Sequence, residues 1–161
     1  MTDVTQRLLD LEERVARLEG ADGPQAVPAA PGDVALLETL ERDHPDSAAI
    51  VGSVRTEAGE ARWQYGLTRT SLDELDWGER ATALAALGHP VRLRLLQLVH
   101  RGEHRTSALA ELDGVGSVGQ VQHHLRTLLA AGWLESRGRG QVAIPTSRVI
   151  PLLATVLATS H

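Results

Sequence analysis

The sequence predicts a mainly α-helical protein with a small β component. Three observations favour this fold class. Apolar residues recur at helical spacing through most of the second half, two pairs of strand-like runs are joined by glycine-containing turns, and the chain begins with heptad spacing. With 161 residues, 42% of them hydrophobic, the chain is long enough for one domain with a buried core and a modest extension.

Residues 1–20 predict a short, parallel coiled-coil helix. Apolar side chains alternate at spacings of four and three, at Val4, Leu8, Leu11, Val15 and Leu18. In a parallel pair this register sets arginines at g against glutamates at e, whereas an antiparallel pair sets like charges together. Because the segment is under three heptads, it is expected to assist a dimer held mainly elsewhere. The alternative is one amphipathic helix packed on its own chain.

Residues 21–32 are rich in Ala, Pro and Gly without periodicity, which predicts a linker. Residues 33–75 predict an accessory unit of a helix followed by a β-hairpin. Asp33 is a suitable cap for the helix, and the strand-like runs cover residues 48–54 and 61–68.

Trp63 and Tyr65 lie on one face of the second predicted strand, because side chains alternate along a strand. They are candidates for an effector pocket or a partner surface. Core packing against the neighbouring helix is the alternative, since a small sheet needs large side chains to bury.

Residues 76–161 predict short helices followed by a second hairpin and a last helix. The segments 79–87, 89–102 and 106–112 are each apolar at helical spacing. Pro90 suits a first helical position, and Thr106 is expected to cap the third segment. A short turn then leads to a longer helix, which is the order of a winged helix-turn-helix domain.

The longer helix is expected to begin at a Ser117 cap and to end at Gly132. At 100° per residue, one face is apolar and packs, through Val118, Val121, Leu125 and Leu128. The other face carries amides and an imidazole of the kind that hydrogen-bond to base edges in a DNA major groove. The predicted base contacts are Gln120, Gln122 and His123.

Strand-like residues 133–136 and 141–144 predict a hairpin wing with two cations at its turn. Turn arginines suit DNA phosphates or a minor groove. The predicted contacts to the DNA backbone are Ser117, Arg126, Thr127, Arg137 and Arg139. Arg92 and Arg94, which begin an earlier helix, fit either a flanking phosphate or an exposed structural role.

Charge is distributed unevenly along the chain. The formal net charge is −5, but residues 1–78 hold 16 acids and 7 arginines, whereas residues 79–161 hold 5 acids and 9 arginines. The second half is therefore the candidate for binding nucleic acid. The chain has no cysteine, which excludes disulfides and thiolate chemistry. It shows no membrane span or secretory signal, so a cytoplasmic location is expected.

The second half resembles the arsenic-repressor (ArsR) family of winged-helix transcription regulators. The resemblance rests on AALGHPVRLRLLQLV, TSALAEL and VGQVQHHLRTLLAAGWLE in this order and covers about residues 76–161. His124 and Leu125 match a His-Leu pair of the family. The resemblance implies that residues 147–159 form a dimerisation helix, and these residues are too apolar for a free surface helix. The predicted contacts there are Val149, Ile150, Leu153, Val156 and Leu157.

The resemblance implies no metal site here. Zinc sensors of the family use cysteines near the recognition unit or Asp and His ligands on the last helix, and this chain has no cysteine and only the terminal His161 there. No pair of carboxylates and no nucleophile with its base stands out, so neither catalysis nor a cofactor is predicted.

The predicted function is a homodimeric, sequence-specific DNA-binding regulator, a repressor in the simplest case, that binds a palindromic operator. Its partners would be double-stranded DNA, a second copy of itself and an unidentified small effector. The alternative is a winged-helix module that binds a protein, with the acidic first half as a scaffold. The polar reading face argues against that alternative, since protein-binding faces carry more aromatic and aliphatic anchors.

Overall fold

The structure is a computed structural model that describes residues 34–56, 59–112 and 114–160. The predicted coiled-coil helix and linker lie outside these residues. Within them the chain forms, in order, α1 Val34–Asp43, β1 Ser47–Thr56, β2 Gly59–Thr68, α2 Arg69–Glu74, a 3₁₀ turn Gly78–Arg80, α3 Ala81–Leu87, α4 Pro90–His100, α5 Thr106–Glu111, α6 Val118–Ala130, β3 Glu135–Gly138, β4 Gln141–Ala143 and α7 Thr146–Ala158. The predicted fold class, mainly helical with small hairpins, is confirmed.

The chain divides into two compact units, residues 1–43 and residues 44–161. Helix α1 belongs to the first unit. The hairpin β1–β2 belongs to the second, together with the helix-turn-helix elements.

The core of the second unit lies where α4, α5 and α6 meet. Its largest fully buried side chains come from these helices and from the turn before α6: Leu95, Leu96, Leu109, Val115, Val121 and Leu128. Val118, which was predicted to pack with this group, is 60% exposed. It is the first residue of α6, and the packed stripe begins one turn later at Val121.

The helix starts follow local hydrogen bonding. Pro90 occupies the first turn of α4 as predicted, and His89 Nδ1 caps the helix by accepting from the Val91 N–H at 3.2 Å. Thr106 is not a cap, contrary to prediction. It is the first residue of α5, and the capping residue is Arg105, whose N–H donates to the Glu103 carboxylate at 2.9 Å.

Arg92 joins α4 to α3. Its guanidinium donates to the last carbonyls of α3, Ala86 at 2.5 Å and Ala85 at 2.8 Å. Cations at a helix C-terminus stabilise carbonyls that have no partner within the helix. Of the two roles left open for Arg92, the structure therefore shows the structural one.

The hairpin β1–β2 packs on α7 through its small residues. Each strand has ten residues in one antiparallel register, in which Gly52 pairs with Trp63 and Val54 with Ala61. A Cβ on Gly52 would lie 2.5 Å from Cγ2 of Ile150. A larger side chain at position 52 would therefore force either the Ile150 side chain or the hairpin to move.

Helix α7 already uses much of its apolar surface within its own chain. Val149, Ile150 and Leu152 are buried, Ile150 against the hairpin. By contrast, Val156 is 45% and Leu157 is 71% exposed. Of the residues predicted for dimerisation on this helix, Val149 and Ile150 are thus covered in the single chain, and the exposed ones lie in the last turns.

Candidate nucleic-acid interface

Helix α6 begins with a complete capping box. Ser117 Oγ accepts from the Gln120 N–H at 3.4 Å, and Gln120 Oε1 accepts from the Ser117 N–H at 2.8 Å. Gly116 makes room for this arrangement, since it has a φ of +96° and a Cβ there would lie 2.7 Å from Gln120 Oε1. The box fixes where α6 starts and which face its first turn presents.

Hydrogen bonds within α6 and its cap engage three side chains that were predicted to contact DNA, those of Ser117, Gln120 and Thr127. The oxygen of Gln120 is occupied, which leaves its NH₂ group as the available donor. Thr127 is also engaged, because its hydroxyl donates to the His123 carbonyl at 3.1 Å.

The exposed face of α6 carries the remaining predicted residues. Gln122, His123 and Arg126 are exposed, and a Cβ on Gly119 would meet nothing within 4 Å. Within the described residues, no carboxylate lies within ion-pair distance of Arg126. This surface can therefore offer an amide, an imidazole and a guanidinium to base edges and phosphates. At Gly119, DNA would also have room to approach the helix backbone closely.

Behind this face, His124 lies between other nitrogen-bearing side chains. Its ring centroid is 4.5 Å from that of His89 and 5.7 Å from that of His123, and its Nδ1 is buried without a hydrogen-bond partner. Burial, followed by the nearby His89, Arg92 and His123, holds the pKa of the His124 imidazole below its usual value. This environment therefore favours the neutral form of the His124 ring.

We expect acid to destabilise the protein through His124. The pKa is lower in the folded state, so the unfolded chain takes up the proton more readily, and the free energy of unfolding falls as the pH drops below the usual histidine pKa of about 6.5. Urea unfolding should show a smaller loss of stability between neutral pH and mildly acidic pH in His124→Gln than in the unsubstituted protein. Gln122→Ala, on the exposed face, is the control. Equal losses in all three proteins would contradict this assignment.

The wing begins later than predicted. The N–H groups of Trp133 and Leu134 both donate to the Leu128 carbonyl, at 2.9 and 3.3 Å, so these residues complete the end of α6 and are buried. Strand β3 therefore starts at Glu135 and not at residue 133. Gly132 ends the helix as predicted, with a φ of +71°.

The wing turn presents its two arginines differently. Gly138 pairs with Gln141, so Arg139 and Gly140 form a two-residue turn, with φ values of +48° and +71°. Positive φ at both positions is the requirement of a type I′ turn. Arg139 is exposed at this tip without an ion-pair partner among the described residues, whereas Arg137 Nε lies 3.5 Å from the Glu135 carboxylate.

Sequence reasoning missed the third segment that supports the wing. Arg105 forms an antiparallel bridge with Gln141, Val142 N–H donates to the His104 carbonyl and Thr106 N–H donates to the Gly140 carbonyl, both at 2.9 Å. These bonds join the wing to the start of α5. The segment is too short to show strand periodicity, and only its position between Gly102 and α5 could have indicated it.

Trp63 and Tyr65 lie on the hairpin and do not belong to this interface. Their rings are adjacent as predicted, with centroids 5.6 Å apart. Tyr65 is 55% exposed, which shows that the hairpin leaves part of its aromatic face uncovered.

The described part of the chain contains neither a metal-binding cluster nor a membrane-spanning helix. No group of three or more His, Cys, Asp or Glu side chains there is arranged to hold a metal ion. None of its helices is long and apolar enough to cross a membrane.

Comparison with known proteins identifies one domain. A family model described as a helix-turn-helix domain matches residues 87–137, from the end of α3 into β3. The chain therefore contains a helix-turn-helix domain, a module of DNA-binding regulators. No curated protein and no solved structure matches the chain.

Proposed function

We propose that this protein is a homodimeric, sequence-specific transcription regulator of the ArsR type that represses by occupying a palindromic operator. The observation that carries the proposal is the first two turns of α6, where a capping box fixes a helix whose exposed face holds Gln122, His123 and Arg126. A recognition helix contacts base edges with its N-terminal residues, and this helix is polar there.

Roles follow from exposure and hydrogen bonding. Gln122 and His123 read base edges, and Gln120 adds only its NH₂ group, since its oxygen caps the helix. Arg126 binds the DNA phosphate backbone beside the helix, and Ser117 and Thr127 contact the same backbone. Arg139 reaches a flanking groove from the wing tip, with Arg137 behind it.

A homodimer would place two recognition helices in successive major grooves. Support comes from the last turns of α7, where Val156 and Leu157 are exposed. Exposed apolar side chains in a group are typical of association surfaces. The heptad segment Val4 to Leu18 would add a second, parallel contact between the subunits.

The test is selection of genomic fragments by the purified full-length protein at near-physiological salt, followed by sequencing. Enrichment of a palindrome with half-sites about one helical turn apart is expected. Binding without sequence preference would overturn the proposal and favour the protein-binding alternative.

Arg139→Ala should weaken binding to operator and random DNA alike. Removing one phosphate contact lowers the slope of log affinity against log salt concentration by about one. The measurement is fluorescence anisotropy with both DNAs over a salt series. Arg69→Gln, which removes an arginine of α2, is the control for net charge. An unchanged affinity and slope in Arg139→Ala would remove the wing tip from the interface.

A further inference from the structure

A cleft of about 460 Å³ lies between α4 and α7, and none of its lining residues belongs to α6 or to the wing. Sites for small molecules have volumes of about 300–1,000 Å³, so this cleft has the size of a ligand site. Its walls come from two helices of one compact unit, and both are long enough to hold side chains on several turns.

The walls of the cleft are apolar. Leu96 and Leu152 are buried at its base, while Leu93 and Val156 are 40% and 45% exposed. The single chain thus leaves aliphatic surface uncovered on both sides of the cleft. Burying it would stabilise a bound apolar group by about 25 cal/mol per Å².

One edge of the cleft is cationic. Arg94 lines it from α4 and Arg101 lines it from the position directly after α4, and none of the described lining residues carries a carboxylate. Arg94 is held in place because its Nη1 donates to Gln97 Oε1 at 2.7 Å. A guanidinium forms strong charge-assisted hydrogen bonds to a carboxylate, and a neutral apolar ligand offers no such acceptor.

We propose that the cleft between α4 and α7 binds a small amphipathic carboxylate, with its apolar body between Leu93, Leu153 and Val156 and its carboxylate on Arg94 and Arg101. The charge of the rim distinguishes this occupant from a second copy of α7. The last turns of that helix carry only apolar and hydroxyl side chains and offer no anion to the arginines.

The position of the cleft suggests how a ligand would act on DNA binding. His100 lines both this cleft and a smaller cavity of about 60 Å³ that Arg137 of the wing also lines. Val156, which belongs to the proposed dimer surface, lines the other side of the cleft. This regulatory consequence rests on the proposed function, whereas ligand binding does not.

The experiment is calorimetric titration of the full-length protein, without DNA, using decanoate below its micelle concentration. Saturable binding to one site per chain is expected. Arg101→Gln should weaken it about tenfold, as loss of a charge-assisted hydrogen bond predicts, and Leu153→Gln should also weaken it. Arg69→Gln, which removes a cation outside the cleft, should leave the affinity unchanged.

Two further probes test the charge requirement. Decanol and decyltrimethylammonium share the apolar chain and should bind at least about tenfold more weakly than decanoate. Equal binding of decanol, or unaltered binding by Arg101→Gln, would overturn the assignment of an anionic ligand. Loss of decanoate binding as the protein is concentrated into dimers would also overturn it, since a second copy would then fill the cleft. Because no DNA is present, a failure of the proposed operator binding does not affect these outcomes.

Discussion

Trp133→Ala is expected to lower the free energy of unfolding by about 3–5 kcal/mol, the range found for truncation of large buried aromatic side chains. Trp133 is 4% exposed, its indole Nε1 donates to the Ala83 carbonyl at 2.8 Å, and the Arg148 guanidinium carbon lies 5.0 Å from its ring centroid. The side chain thus joins the end of α6 to α3 and to α7. Since domains of this size are stable by only about 5–15 kcal/mol, the variant should lose a large part of its stability.

Trp133→Phe is the matched variant, because it keeps an aromatic ring but removes the donor to Ala83. Loss of this part-buried hydrogen bond costs about 0.5–1.5 kcal/mol, so the effect of Trp133→Phe should be the smaller of the two. Urea unfolding followed by circular dichroism gives both values. If the two substitutions cost the same, the hydrogen bond and not the packing would be the main contribution of Trp133.

Gln122→Ala should reduce the preference for the operator over random DNA by about 5- to 150-fold, which corresponds to the 1–3 kcal/mol expected for one base contact. Gln122 is exposed on the second turn of α6 and its side chain forms no hydrogen bond within the described structure that would be lost on substitution. The fold should therefore remain intact. His123→Ala is expected to act in the same direction.

The control for this prediction is Arg126→Ala on the same helix. Loss of a phosphate contact weakens binding to both DNAs and leaves their ratio nearly unchanged. Competition binding with the selected operator and a scrambled duplex measures the ratio. A reduced ratio in Arg126→Ala with an unaltered ratio in Gln122→Ala would exchange the roles assigned to these two side chains.

The local features of the helix-turn-helix domain could be predicted from the sequence, because they depend on neighbouring residues. The Ser117 cap, the Pro90 start and the Gly132 stop each follow from the hydrogen-bonding or φ preference of one residue type. The amphipathic pattern also placed Val121, Leu125 and Leu128 in the core correctly. The engagement of Gln120 in the capping box could have been expected from its position three residues after Ser117.

Features that depend on distant contacts could not be predicted in this way. Ile150 belongs to an apolar helix that suggested an intermolecular surface, but the hairpin covers it because Gly52 leaves room. The cleft between α4 and α7 likewise depends on the spacing of two helices that are far apart in sequence.

At the wing tip, one residue affects both the stability of the protein and its proposed DNA binding, and the two effects have opposite signs. Arg139 holds a φ of +48°, a conformation that costs a residue with a side chain roughly 1–2 kcal/mol and that glycine adopts freely. Arg139→Gly would therefore stabilise the hairpin and weaken the proposed contact with DNA. Arg139→Ala would keep the unfavourable backbone conformation and remove only the cation. Thermal stability and the proposed operator affinity are therefore expected to change in opposite directions in the glycine variant.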